Sequence, residues 1–147
     1  MKRKPAITNL RRVLVPVVYG CDSAKAVAFA RSLAAEVVLV GLVHMQAEES
    51  LSAGTGRARD VRAHLAELAA PEHTRARARV IVSHSPWRDL CAIVDRDNPN
   101  LLLMEWDCHL NALGVTPQQA MTSPPCDLGF VRSPIPASPR TVLVPVR

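Results

Sequence analysis

Five short runs of β-branched and leucyl residues punctuate the chain without polar alternation: Val13 to Val18, Val37 to Val43, Ala78 to Val82, Leu101 to Trp106 and Leu128 to Val131. A strand with one face in water alternates apolar and polar residues, whereas a strand covered on both faces reads as a continuous apolar run. These runs therefore require helices above and below a sheet. Segments of helical spacing stand between them, each with a start signal. Asp22 and Ser23 precede a helix that turns Ala26, Val27, Ala30 and Leu33 inward, and Ser85-Pro86 opens one carrying Leu90, Ile93 and Val94. A third, about Ala58 to Ala70, places Val61, Leu65 and Leu68 on one face and arginines on the other, with Pro71 beyond its end. A short fourth begins at Thr116-Pro117, with Thr116 as N-cap.

The order β-α-β-α-β-α-β-α-β predicts an α/β fold, a Rossmann-like, doubly wound, five-stranded parallel sheet flanked by helices. Ligands of such sheets sit beyond the carboxyl ends of the strands, where the strand order reverses. The 147 residues suffice for one domain, and with aromatics at 3% its core must be aliphatic. The net charge of +5 gathers at Lys2, Arg3, Lys4, Arg11 and Arg12 and again at Arg57, Arg59, Arg62, Arg75, Arg77 and Arg79. No aromatic residues interleave these arginines, so they read as solvated helix and strand-edge faces, and no nucleic-acid partner is expected.

Cys21, Cys91, Cys108 and Cys126 are too widely spaced for a C-x-x-C redox or zinc motif and are expected to be reduced thiols of a cytoplasmic protein. The longest apolar run, Val37 to Val43, is far too short to cross a bilayer, so no membrane insertion is expected. One internal repeat stands out. The pentapeptide Val-Leu-Val-Pro-Val occurs at Val13 to Val17 and again at Val142 to Val146, after the proline-rich stretch Ser133-Pro-Ile-Pro-Ala-Ser-Pro139. This divides the chain into a basic leader (1–11), a domain (12–132), a semi-rigid linker (133–140) and an extra C-terminal strand that starts a second repeat (141–147).

The first strand, the Asp22 to Leu33 helix, the stretch from Val80 to Trp106 and the close "LGVTPQQAMTSPPCDLGFVR", with Pro125-Cys126-Asp127 and Phe130 to Arg132, resemble the universal stress protein (UspA-like) family over Arg12 to Arg132. The resemblance implies an adenine nucleotide alpha hydrolase-like crevice in which Pro16, Val18, Val43, Glu105, Gly114 and Thr116 hold the nucleotide-site positions. Many members bind ATP there, but this chain departs from their pattern. Val18 replaces a nucleoside-binding aspartate, Glu105 stands in the place of the first glycine, a second glycine is missing, and Val115 follows Gly114 where a phosphate-binding hydroxyl belongs. A desolvated carboxylate among triphosphate oxygens is unfavourable by several kcal/mol. Thr116 lies one position later, but helix capping is its expected use. No cofactor is therefore expected, and ATP is not.

The switch point should bring Tyr19 to Asp22 opposite Glu105 to His109, gathering Asp22, Glu105, Asp107, Cys108 and His109 as acid, base and nucleophile candidates. Adjacent Cys108 and His109 make a poor catalytic pair, since neighbouring residues in extended chain point apart. Asp22 is expected to cap its helix, His109 to be a solvent-exposed loop residue and Trp106 to cover an apolar crevice. His44 and His84, at strand ends, could join Cys108 and His109 around a metal, but the spacing matches no known cluster, and no metal is expected. The expectation is a non-catalytic, regulatory stress-response domain that does not bind ATP. As the resemblance implies, it would dimerise, or pair with a second such domain, through the fifth strand, and associate with a membrane transporter. The alternative is a nucleotide- or small-anion-binding stress sensor with a non-standard site, and a small crevice enzyme is the outlier.

Overall fold

The computed structural model describes residues 10–70, 75–106 and 109–132. Five parallel strands form one sheet: β1 (Leu10–Val18), β2 (Ala34–His44), β3 (Arg75–Ser83), β4 (Leu101–Glu105) and β5 (Leu128–Val131), in the order β3-β2-β1-β4-β5. Helices α1 (Ala24–Leu33), α2 (Thr55–Ala69), α3 (Pro86–Asp97), α4 (His109–Ala112) and α5 (Pro117–Thr122) connect them. This is the doubly wound α/β architecture that the apolar runs predict. One core lies between the sheet and α1 and α2, built on Val13, Val15, Val37, Leu39, Ala26, Ala30, Val61 and Leu65. The other lies between the sheet and α3 to α5, built on Leu14, Val38, Leu42, Leu90, Ile93, Leu102, Met104, Leu110 and Leu113. The alternation of odd and even strand residues between two apolar layers is why the runs show no polar period.

The boundaries depart from expectation at informative places. Leu10 and Arg11 already belong to β1 and not to a leader. β3 begins at Arg75, three residues before its continuous apolar run, because Arg75 to Arg79 alternate arginine with alanine as an edge strand does. α2 starts at Thr55 after a 3-10 turn over Leu51–Gly54. The rest of the expected leader, the linker and the repeated strand lie outside the described residues.

At the amino end of the sheet an ion network ties layers together. Arg12 donates to Glu36 at 2.7 Å and to the carbonyl of Asp97 at the end of α3, while Arg77 stands 2.7 Å from the other Glu36 oxygen. The hydrogen bond from Arg12 holds the Glu36 carboxyl below the usual range against the opposing pull of burial.

The strand order reverses between β1 and β4. Pro16 has no N–H to give to a ladder. β1 remains paired with β2 as far as Val18 opposite Leu42, while its pairing with β4 covers Val13 and Leu14. The carboxyl halves of β1 and β4 thus part at the switch point, and Ser23 before α1, Glu105 at the end of β4 and His109 at the start of α4 meet across the gap.

Candidate functional site

Glu105, the last residue of β4, reaches across this gap to the start of α1. Its Oε1 accepts a hydrogen bond from the Ala26 N–H at 3.1 Å. The first N–H groups of a helix have no partner within it and carry the positive end of the helix dipole. Asp22 serves the same terminus, accepting from the Ala24 N–H at 2.9 Å, so the expected capping role of Asp22 holds, although the helix N-cap residue is Ser23. Burial raises the Glu105 pKa, Asp22 nearby raises it further, and the amide hydrogen bonds act against both.

Ser23 is itself fully buried, and its side chain does not cap the helix. Its Oγ lies 2.9 Å from His109 Nε2, and His109 is fully buried too. The expectation of a solvent-exposed His109 is therefore overturned. His109 opens α4 four residues before Leu113, itself 1% exposed, and i and i+4 share a helix face, so packing Leu113 draws the imidazole inward.

The Glu105 backbone N–H donates to His109 Nδ1 at 3.1 Å. That nitrogen is an acceptor and carries no proton, so in the neutral ring the proton sits on Nε2 and is donated to Ser23 Oγ. Burial holds the ring neutral, lowering its pKa to about 4. A serine nucleophile requires Nε2 as the acceptor of its proton. Here the polarity of the pair is reversed, and the imidazole works as a two-ended tie between β4 and the head of α1.

The remaining sequence candidates are dispersed. Val43 is fully buried in the α1–α2 core, and Val18 packs into the opposite core and also lines a cavity with Tyr19, Gly20 and Cys21. Pro16 is buried in β1. Thr116 caps α5 as expected, in a reciprocal capping box with Gln119, and its hydroxyl is committed to that turn. Gly114 adopts φ +70°, the left-handed conformation that favours glycine, as the chain leaves α4. Trp106 does not cover the crevice. It turns to β5, where its ring meets Phe130 edge to face at 5.1 Å. Asp107 and Cys108 lie outside the described residues.

His44 and His84 come together with Gly114 around a cavity of about 370 Å³ on the α3 side, apart from His109. Among the described residues no three His, Cys, Asp or Glu side chains gather as metal ligands. Cys91 and Cys126 are free thiols with pKa values raised by burial, whereas Cys21 is disulfide-bonded, against the expectation that every cysteine is reduced. Spacing along a chain does not show which thiols the fold brings close. Among the described residues no helix is long and apolar enough to cross a membrane.

Sequence reasoning placed Glu105 in the crevice but missed its amide partner, and missed the Ser23–His109 bond altogether. The signal was the apolar spacing of Leu110 and Leu113 beside His109, which marks a short buried helix.

No family model matches the chain, and no curated protein matches it in sequence. Solved structures do match in fold. A universal stress protein in complex with cAMP shares 18% identity at a TM-score of 0.55, covering 86% of this chain and 100% of its own. A universal stress protein from Archaeoglobus fulgidus shares 10% identity at a TM-score of 0.58, covering 84% of this chain and 95% of its own. A hypothetical protein shares 15% identity at a TM-score of 0.56, covering 82% of this chain and 95% of its own. The chain thus has the fold of the universal stress proteins over most of its length.

Proposed function

We propose that this chain is a stress-response domain of the universal stress type that regulates by association and carries out no chemistry. The observation that supports this best is Glu105 on the amides of α1. A carboxylate of the protein occupies the place at the switch point where an anionic ligand gains most from a helix terminus. A triphosphate entering there would have to displace Glu105 from those amides and share the gap with two carboxylates, Asp22 and Glu105. The reversed Ser23–His109 pair speaks in the same direction against a hydrolase or transferase. The domain dimerises, or pairs with a second such domain, through β5, and associates with a membrane transporter.

Isothermal titration with ATP and Mg²⁺ tests the central claim. No heat of binding is expected, and a micromolar dissociation constant overturns it.

A second reading is favoured by the cavity beside Gly114. Its volume of about 370 Å³ falls at the lower end of the range for small-ligand sites, and one of the fold's solved relatives holds cAMP. On this reading the domain is a small-anion or nucleotide sensor whose ligand sits beside His44 and His84, away from Glu105. Titration with cAMP separates the two readings, since binding that His84→Ala abolishes and Glu105→Ala leaves intact belongs to the second.

A further inference from the structure

The two edges of the sheet differ in length and in charge. β5 is four residues long and apolar, whereas β3 runs for nine residues and, among the described residues, pairs with β2 alone. Its outer row of N–H and C=O groups is a template for another strand. Native edges of this kind are commonly blunted by charge, and the arginines of β3 do that against further copies of the same basic strand. They do the reverse for an acidic one.

The charge balance at this edge is lopsided. Val80 and Val82 face α2, so Arg75, Arg77 and Arg79 form a row on the α3 side, next to Ile81. Arg12, Arg75 and Arg77 act on the single carboxylate Glu36, and Arg79 and Arg96 pair with the single carboxylate Asp97. Five guanidinium groups thus share two carboxylates, and Arg77 and Arg96 remain 62% exposed. On the α2 side the edge borders a hollow of about 250 Å³, lined by Leu65, Ala66, Ala69, Ala78 and Val80 and flanked by Arg62 and by Arg79 of the strand itself. The alanines leave room there that larger side chains would fill.

We propose that the free edge of β3 binds an extended, acidic segment of a partner protein, which adds a sixth strand to the sheet. Successive side chains of a strand point to opposite faces. A bound segment with alternating residues therefore presents every second side chain to the alanine-floored hollow and the others to the arginine row. The recognised pattern is aliphatic–acidic alternation over about six residues, with main-chain hydrogen bonds giving affinity and the two faces giving selectivity. Nucleic acid fits less well. Neither β3 nor α2 carries a Phe, Tyr or Trp on which a base could stack.

Fluorescence polarisation with the full chain tests this, using labelled Val-Glu-Val-Asp-Val-Glu-Val-Asp as probe. Saturable binding is expected, weakened about tenfold by Arg75→Glu and by Arg62→Glu, both at exposed positions. Ala66→Leu, which fills the hollow from an exposed helix position, is expected to weaken it as well. A probe of equal charge with proline at every valine keeps the carboxylates but removes half the backbone donors. If that probe binds within threefold of the first, the surface is a charge patch and not a strand acceptor. Tighter binding of an oligothymidine of equal charge overturns the proposal in favour of nucleic acid. Absence of binding to the full chain overturns it too, and attributes the edge to a segment of the chain itself or to a second copy.

Discussion

Glu105 does at the head of α1 what a bound anion does at comparable helix termini elsewhere, and His109 makes the arrangement rigid by tying the Glu105 amide to Ser23. The tie has a thermodynamic signature. His109 ionises near 6.5 in the unfolded chain and at about 4 in the folded one. Below 6.5 the unfolded state therefore binds a proton that the native state excludes, so stability present at neutral pH is lost as pH falls from about 6.5 to about 4, by about 3 kcal/mol in all. Glu105 acts in the opposite sense, because its raised pKa, caused by burial, makes protonation easier in the folded state. Urea unfolding of the wild type should thus show stability falling between pH 6.5 and pH 5, and the slope should largely vanish in His109→Gln. An unchanged slope in the variant assigns the loss to other groups. Ser23→Ala leaves the buried Nε2–H without an acceptor and is expected to cost about 1–3 kcal/mol at pH 7 in the same measurement. Little of this was legible beforehand. Residue types named Glu105 and His109 as crevice residues, but which nitrogen carries a proton depends on a backbone amide brought there by the β4–α4 turn.

The elements were legible to different degrees for a physical reason. Strands with both faces covered announce themselves as apolar runs, so β1, β4 and β5 were placed to within a few residues. The amino half of β3 was missed because its apolar face is made of alanine and its other face of arginine, a pattern that reads as polar. The start of β2 was missed because α1 passes into it at Leu33 and Ala34 with no turn residues between. Close packing of β2 on α2 also rests on a residue that carries no run signal. A Cβ added at Gly41 would stand 2.5 Å from Val61 Cγ1 and 2.9 Å from Leu65 Cδ1. Both of those neighbours are buried side chains of α2. Gly41→Ala is accordingly expected to lose about 1–3 kcal/mol by overpacking, read as a lowered urea midpoint at an unchanged m-value. Gly56→Ala, whose Cβ meets nothing within 4 Å, serves as the control and should be neutral or slightly stabilising within α2.

At the scale of the whole molecule β3 and β5 are the edges of the sheet among the described residues, and electrostatics favours one of them for the proposed pairing of copies. Two β3 edges brought together would confront the surplus of arginines on each, on a chain already at +5. Two β5 edges confront Trp106, which is 38% exposed, and Phe130, which stacks against it, with Leu128 part-buried beside them. Apolar contact there gains from burial, and the distance from the arginine row limits the repulsion. A dimer through β5 should therefore persist as salt rises, since its core is apolar and the residual repulsion between like-charged copies is screened. Light scattering on the eluting peak should report twice the chain mass for the wild type. Phe130→Lys removes the partner of Trp106 and places a charge in each half of the interface, and it is expected to elute as a monomer with an intact circular dichroism spectrum. Arg75→Glu, at the opposite edge, should remain dimeric. A Phe130→Lys protein that stays dimeric, or an Arg75→Glu protein that falls apart, moves the interface from β5 to β3 and reverses the division of labour between the two edges.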